Sequence, residues 1–236
     1  MFAGPNGSGK SFLFNFLKAQ KYIYTEIYIN ADKVEKQITE SKKFSFNAYR
    51  IKVSDKEFKD EILSSGLFKK SGLENFIDNL KIKSGILYIN LSDGEINSYI
   101  ASFICLYLAK KLFATGSSFC YETVMSHPSK IELFDLAEKA GYSTYLYFVT
   151  TESWKKNKAR VSLRVAQGGH AVDKTKIEQR YKRSMQLLPN ALQKAHKAFV
   201  FDNSKLDFAL AANYERNKQL KTKLPMPEWL KKYLVK

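Results

Sequence analysis

Gly4-Pro5-Asn6-Gly7-Ser8-Gly9-Lys10-Ser11 matches the phosphate-binding loop pattern G-x-x-x-x-G-K-[ST] at every fixed position. Glycines allow successive backbone N–H groups to converge on one anion, and the helix that follows points its positive end at the same place. Lys10 is expected to reach the β- and γ-phosphates, and the Ser11 hydroxyl to bind Mg²⁺. The loop therefore predicts binding of ATP and Mg²⁺, but it does not specify the reaction, because switches, motors and kinases share it.

Strand and helix signals alternate around this loop. Only three residues precede it, so the first strand is either very short or begins upstream of Met1. Residues 118–149 predict a strand, a helix and a second strand, which is a βαβ unit and favours a parallel sheet. Further helices are expected at about 10–18, 95–113, 153–167, 174–195 and 205–221, and further strands at 24–30 and 198–201. The predicted class is α/β, a P-loop NTPase-type parallel sheet flanked by helices.

The organisation expected from these signals is one P-loop domain over residues 1–236. Residues 41–93 interrupt the alternation with short strand and helix signals, so we interpret them as an inserted α+β subdomain. Residues 222–236 are expected to form an irregular tail, because Pro225 and Pro227 disfavour a continuous helix.

Composition indicates a cytoplasmic protein without a membrane span. The long apolar run at 100–109 is shorter than the roughly 20 residues that a span requires, and we interpret it as a core helix. Cys105 and Cys120 are expected to be buried thiols in a reducing compartment. The net charge of +16 comes from lysines scattered along the chain. A solvated basic surface is therefore favoured over a nucleic-acid site.

Three acids are candidates for the chemistry of phosphoryl transfer. Asp32 follows the strand at 24–30 and is either the catalytic base or an N-cap of the next helix. Glu122, at the end of the strand that begins near 118, would bind substrate or orient metal-bound water; a surface carboxylate is the alternative. Asp93 follows another apolar strand but lies in the insertion, so it ranks below Glu122.

A basic helix supplies candidate cations for the phosphates. Lys156, Arg160 and Arg164 are spaced four residues apart and line one helix face. Such a stripe is commonly just solvated. Here Gly168-Gly169 follows directly and could act as a hinge, so residues 153–170 are interpreted as a lid that closes arginines on phosphate. His170 is interpreted as a turn residue with satisfied hydrogen bonds.

Five segments, taken in order, resemble the zeta-toxin family of P-loop kinases. They are F-A-G-P-N-G-S-G-K-S, I-N-A-D, Y-E-T-V-M-S-H-P-S-K, A-R-V-S-L-R-V-A-Q-G-G-H and F-D-N-S, and the likeness covers residues 2–40 and 117–204. The phosphate loop is shared by many families, whereas the Y-E-T and R-V-A-Q-G-G-H segments are more specific. In that family such kinases often build the acceptor site where residues 41–93 fall here.

The resemblance implies a kinase that moves the γ-phosphate of ATP to a hydroxyl of a small substrate, in the best-known members a nucleotide sugar. It implies Asp32 as catalytic base, Glu122 and Thr123 as substrate ligands, and Arg160 or Arg164 as charge stabilisers. It also implies an antitoxin protein as a candidate partner. Val124 stands where those toxins carry a hydroxyl, so the resemblance does not extend to that position of their substrate site. The alternative hypothesis is a P-loop ATPase or switch that acts on nucleic acid or a protein partner.

Overall fold

The computed structural model describes residues 1–65, 73–92, 94–168, 174–205, 207–223 and 225–234. In chain order the strands are β1 (Phe2–Ala3), β2 (Tyr28–Asn30), β3 (Lys43–Ser45), β4 (Leu80–Lys83), β5 (Ile86–Ile89), β6 (Cys120–Thr123), β7 (Tyr145–Thr150), β8 (Lys197–Asp202), β9 (Ala209–Glu215) and β10 (Lys221–Thr222). The α-helices are α1 (Lys10–Ala19), α2 (Ala31–Ser41), α3 (Asp55–Ser64), α4 (Ser98–Ala114), α5 (Ser129–Lys139), α6 (Trp154–Ala166), α7 (Lys174–Lys194) and α8 (Glu228–Leu234). Short 3₁₀ helices span Asn47–Tyr49 and Leu73–Asn79.

The chain forms two compact units. The first contains Met1–Tyr24 and Glu122–Lys236, and the second contains Thr25–Tyr121. The second unit begins before residue 41 and ends after residue 93, so it includes the predicted insertion together with β2, α2 and α4. Cys105 and Cys120, both in this second unit, are buried, as the sequence predicted.

The first unit is built on a mostly parallel sheet, which confirms the predicted α/β class. Its strand order is β10-β9-β8-β7-β1-β6. Strands β8, β7, β1 and β6 are parallel neighbours, while β9 and β10 run antiparallel at one edge. Because parallel strands end at the same edge, the residues that follow β1, β6, β7 and β8 are brought together there, where α/β proteins bind ligands.

The core of the first unit lies between this sheet and its helices. The buried stripe of α7 includes Tyr181, Met185 and Leu188, which pack with Leu146, Phe148 and Val200 of the central strands. Trp229 and Leu230 of α8 join the same cluster. Burial of these side chains fixes the strands whose ends carry the site.

The second unit contains a three-stranded antiparallel sheet in the order β3-β5-β4. A tight turn at Ser84-Gly85, with φ of 53° and 74°, joins β4 to β5, as expected for a two-residue hairpin loop. Aromatic rings of Phe46, Phe58 and Tyr107 meet at centroid distances of 5.1 to 5.9 Å. Helix α4 is buried along most of its length, so the apolar run is a core helix as predicted.

Several boundaries differ from the sequence-based expectation. Residues 205–221, predicted to be helical, contain β9, whose Ala211 and Ala212 are buried beside β8. The tail from 222 was expected to be irregular, but it contains α8. In the second unit β4 was not predicted, and residues 49–53, which have strand-like side chains, form no strand. Of the described helices, none combines the length and apolar content that crossing a membrane requires.

Candidate nucleotide and metal site

The phosphate loop connects β1 to α1 and is closed by its own hydrogen bonds. The Ser8 N–H donates to the Pro5 carbonyl at 3.2 Å, and the Leu13 N–H donates to the Gly9 carbonyl at 3.0 Å. The Lys10 ammonium group, largely buried, donates to the same Pro5 carbonyl at 3.1 Å. The Lys10 side chain therefore reaches back across the loop to its second residue.

Two glycines allow this loop to pack tightly in the first unit. A Cβ atom on Gly4, whose φ is +137°, would lie 1.9 Å from the Val149 carbonyl oxygen of β7. A Cβ on Gly7 would lie 2.6 Å from the Asn157 carbonyl oxygen of α6. Any side chain at either position would displace backbone, so the loop is held between β7 and α6 only because both residues are glycine.

The loop also carries buried polar atoms whose partner could be a ligand. Within the described residues, the Ser8 hydroxyl and the Asn6 side-chain oxygen are buried without a hydrogen-bond partner. Buried polar groups are nearly always hydrogen-bonded in native proteins. A hydroxyl donor left over in a glycine-rich loop fits a phosphate oxygen, so these residues pass a test for nucleotide binding that is independent of the motif.

Ser11 and Glu122 meet at the carboxyl edge of the sheet. The Ser11 hydroxyl lies 3.1 and 3.0 Å from the two carboxylate oxygens of Glu122, whose side chain is largely buried. The strand register places Glu122 beside Phe2, two residues before the phosphate loop begins at Gly4. A hydroxyl and a carboxylate are the oxygen ligands that Mg²⁺ prefers, so the pair fits a divalent cation. Glu122 is 8% exposed, so the alternative of a surface carboxylate does not hold.

The neighbouring Thr123 has a local role in the structure. Its hydroxyl accepts a hydrogen bond from the Met125 N–H at 3.1 Å and so closes the turn after β6. Met125 has a φ of +54°, in the left-handed region that residues other than glycine rarely adopt, and its side chain is buried. Thr123 therefore shapes the chain that leaves Glu122.

Asn203 is a site residue that the sequence analysis did not single out. It follows β8, its side-chain amide donates to the Ser8 carbonyl at 2.8 Å, and its own N–H donates to the Thr150 carbonyl at 2.8 Å. It lies so close to Gly9 that a Cβ there would approach the amide nitrogen to 2.5 Å. Asn203 therefore fixes the phosphate loop to the end of β8.

The arginines of the predicted lid lie on α6, which begins where Ser153 caps the Lys156 N–H. Asn157 touches the loop at Gly7, and at 3.6 residues per turn Arg164 and Arg160 lie roughly 20° and 60° around the helix from it. Lys156 instead binds the Glu152 carboxylate at 2.8 Å and the Ser204 carbonyl at 2.6 Å. Gly169 and His170 lie outside the described residues.

Asp32 belongs to the second unit, in the first turn of α2. The N-cap of that helix is Asn30, whose side-chain oxygen accepts from the Lys33 N–H at 3.1 Å. The alternative that Asp32 is the N-cap is therefore wrong, because the helix begins at Ala31, two residues earlier than a cap at Asp32 would require. The Asp32 side chain is partly exposed, and its proposed role as base is considered below. Asp93 lies outside the described residues.

Comparison with known families agrees with this geometry. The family model described as zeta toxin matches residues 98–210. This part of the chain is therefore similar to zeta toxins. The domain match includes Glu122, Arg160, Arg164 and Asn203, whereas the phosphate loop lies outside the matched range and rests on its own motif and geometry.

Solved structures share the fold at low sequence identity. A chain of the AvrRxo1-ORF1:AvrRxo1-ORF2 complex with sulphate ions has a TM-score of 0.61 and 13% identity, covering 98% of this chain and 62% of that one. The same complex with ATP gives 0.59 and 12%, covering 94% and 60%. A structure from the PezAT toxin-antitoxin system of Streptococcus pneumoniae gives 0.52 and 13%, covering 98% and 77%. The chain thus spans about three fifths of the AvrRxo1 chains, and no curated protein matches it in sequence.

Proposed function

We propose that the chain is an ATP-dependent phosphotransferase, which moves the γ-phosphate of ATP to a hydroxyl group of a small substrate. Nucleotide sugars are one candidate substrate class. The observation that carries the proposal is the Ser11 hydroxyl in contact with the Glu122 carboxylate, beside a phosphate loop that leaves a buried hydroxyl for a ligand. The match of residues 98–210 to the zeta toxin family model and the similarity to an AvrRxo1 complex with ATP support it.

The loop would bind the triphosphate through backbone N–H groups, the Ser8 hydroxyl and the Lys10 ammonium group. Lys10 now donates to the Pro5 carbonyl, and turning toward a phosphate oxygen would exchange a neutral acceptor for a charged one. Hydrogen bonds between charged groups are the stronger kind. The loop is held in shape by Gly4, Gly7 and Asn203, so binding requires little reordering of the backbone.

Ser11 and Glu122 would hold Mg²⁺. When bound, the ion would neutralise part of the negative charge on the phosphates. Glu122 ends a strand next to β1 and is fixed in the sheet, so its carboxylate is positioned before a ligand arrives. Arg160 and Arg164 are proposed to stabilise charge on the transferred group, because guanidinium groups match phosphate geometry.

Asp32 is proposed as the general base. In the transfer, the acceptor oxygen forms a bond to the γ-phosphorus, the bond from that phosphorus to the β–γ bridging oxygen breaks, and ADP leaves. The acceptor proton passes to the Asp32 carboxylate. Asn30 caps α2, so the Asp32 carboxylate is not required for capping. This distinction supports a chemical role for Asp32 over a structural one.

Residues 41–93 are proposed to supply the acceptor site, and a protein antitoxin is proposed as a partner. The second proposal is supported by the similarity to a structure from the PezAT toxin-antitoxin system. Co-expression with the product of a neighbouring open reading frame tests it. If that product is an antitoxin, we expect a stable complex that binds less ATP than the chain alone. Separate elution and equal ATP binding would contradict it.

The central experiment is transfer from γ-labelled ATP to a metabolite pool, followed by identification of the labelled molecule. Asp32→Asn is expected to keep ATP binding and to lose transfer. The matched control is Asp60→Asn, which removes an exposed carboxylate of α3. No labelled small molecule in any pool would refute the transferase, and full turnover in Asp32→Asn would refute the assigned base.

A further inference from the structure

Two phenylalanines beside the phosphate loop have no part in the phosphate chemistry. Phe12 follows Ser11 on the first turn of α1, and 65% of its surface is exposed. Phe208 lies between β8 and β9, and its ring stacks on Phe12 with a centroid distance of 5.5 Å and an interplanar angle of 11°. A single exposed phenylalanine is common on protein surfaces. A stacked pair at the edge of a ligand site is a more specific feature.

The pair is in contact with the loop itself. A Cβ atom on Gly9 would lie 3.0 Å from Cζ of Phe208 and 3.5 Å from Cε1. The edge of the Phe208 ring therefore rests against the loop backbone at the residue before Lys10. Asn203, which binds the Ser8 carbonyl, anchors the chain segment that leads to Phe208. The loop, Phe12 and Phe208 all belong to the first unit.

We propose that Phe12 and Phe208 form the platform on which the base of the nucleoside triphosphate stacks. The inference rests on the proposed function, since it takes the triphosphate to be bound by Gly4–Ser11. Phosphates held there leave the nucleoside outside the loop, next to the residue that follows Ser11. That residue is Phe12, whose ring is largely exposed and is held by stacking against Phe208.

The chemistry of the pair limits what it can recognise. Phenylalanine has no hydrogen-bonding group, so the contact depends on ring stacking, which every base allows. The platform would therefore favour a nucleoside triphosphate over bare triphosphate, with little preference for one purine over another. A surface that merely covers the core would not favour the nucleoside triphosphate.

The test compares two ligands on the same proteins. Calorimetry would measure dissociation constants for Mg²⁺-ATP and for inorganic tripolyphosphate, with wild-type, Phe12→Ala and Phe208→Ala chains. Stacking on one ring predicts a roughly 5- to 100-fold loss of ATP affinity in each variant, with tripolyphosphate affinity unchanged within about 2-fold. Phe208→Tyr is expected to retain the wild-type ATP affinity, because it keeps the aromatic ring.

Phe16→Ala is the matched control, because it removes a half-exposed phenylalanine one turn further along α1. It is expected to leave both dissociation constants unchanged. Equal losses for ATP and tripolyphosphate, or no loss for either, would overturn the platform and leave the phosphate site standing. A wild-type chain that binds neither ligand would overturn the proposed function and the platform together.

Discussion

The two units of the chain differ in the kind of side chains that they bring together. In the first unit polar groups gather where the parallel strands end: Ser11 meets Glu122, and Asn203 binds the phosphate loop. In the second unit the closest feature is a cluster of rings, with Phe58 stacked edge to face against Phe46, Phe103 and Tyr107. One set of residues surrounds the candidate nucleotide site, and the other fills the interior of its unit.

Electrostatics show the same difference. Burial among these rings, with the nearby carboxylates of Glu57 and Glu61, raises the pKa of Tyr107 above its ordinary value, so its hydroxyl stays neutral at any physiological pH. In the first unit Glu122 is also buried, but its carboxylate accepts from a hydroxyl that is itself exposed. Substitutions should therefore change stability in the second unit and ligand affinity in the first.

Phe58→Ala should give the largest effect. The side chain is 1% exposed and lies at the centre of the ring cluster, so its loss leaves a cavity. We expect the free energy of unfolding to fall by about 3–5 kcal/mol, as for other buried phenylalanines, when measured by urea denaturation. Leu63→Ala, on the same helix but 56% exposed, is the control and should change it by less than about 1 kcal/mol. Equal effects would mean that the cluster is not the core of this unit.

Glu122→Gln should instead change the response to Mg²⁺. The amide keeps the shape and a contact with Ser11 but removes the charge that attracts a cation. We expect the Mg²⁺ concentration needed for half-maximal ATP binding to rise roughly 10- to 100-fold, with little change in the melting temperature. Glu132→Gln, in the exposed first turn of α5, serves as control. An unchanged Mg²⁺ requirement would remove Glu122 from the metal site.

Local signals were sufficient for most of the fold. The phosphate loop, the βαβ unit and the helices α6 and α7 follow from spacing and periodicity, and the structure confirms them. β9 was missed because residues 209–212 are alanines and a leucine, which favour a helix in isolation. Pairing with β8 overrides that preference, since Ala212 lies opposite Val200 in the sheet.

The tail was misjudged through its prolines. Pro227 was expected to prevent a helix, but it precedes α8, and its carbonyl accepts from Leu230 and Lys231. At the start of a helix the missing N–H of proline has no partner to lose. The position of a proline, and not its presence, decides whether it stops a helix.

In the site, sequence reasoning found what is local and missed what is distant. The eight loop residues and the strand-end Glu122 could be placed from pattern alone. Asn203 could not, because its amide binds Ser8 across 195 positions of sequence, and nothing in F-D-N-S indicates that partner. The sequence offered Asp32 as a possible N-cap of α2 and missed Asn30 for a related reason: both residue types are good caps, and only the backbone decides between them.

Asn203→Ala tests the support of the phosphate loop in the first unit without changing a residue that is proposed to bind phosphate. Its loss leaves the buried Ser8 carbonyl without this donor and frees the loop from the end of β8. We expect ATP affinity to fall roughly 5- to 30-fold, corresponding to about 1–2 kcal/mol, by calorimetry. Asn190→Ala, at an exposed position of α7, is the matched control. Wild-type affinity in Asn203→Ala would show that the loop keeps its shape unaided.

Trp229→Phe should give the smallest effect, and it tests whether α8 helps to hold Asn203 in place. The indole N–H donates to Asp202 at 3.0 Å, and the other oxygen of that carboxylate accepts from the Ser204 N–H at 2.8 Å. Asn203 lies between these two residues. Loss of the indole donor should therefore loosen the turn that holds Asn203 and weaken ATP binding roughly 2- to 10-fold, about 0.5–1.5 kcal/mol.

A double-mutant cycle separates this route from general loosening of α8. If Trp229 acts through Asn203, then Trp229→Phe should cost nothing further in an Asn203→Ala background, because the coupled contact is already gone. Additive losses would mean that the two residues affect the loop independently. Tyr233→Phe, on the same helix, controls for a polar change there and should leave ATP affinity unchanged. A non-additive result would make the C-terminal helix part of the support for the phosphate loop.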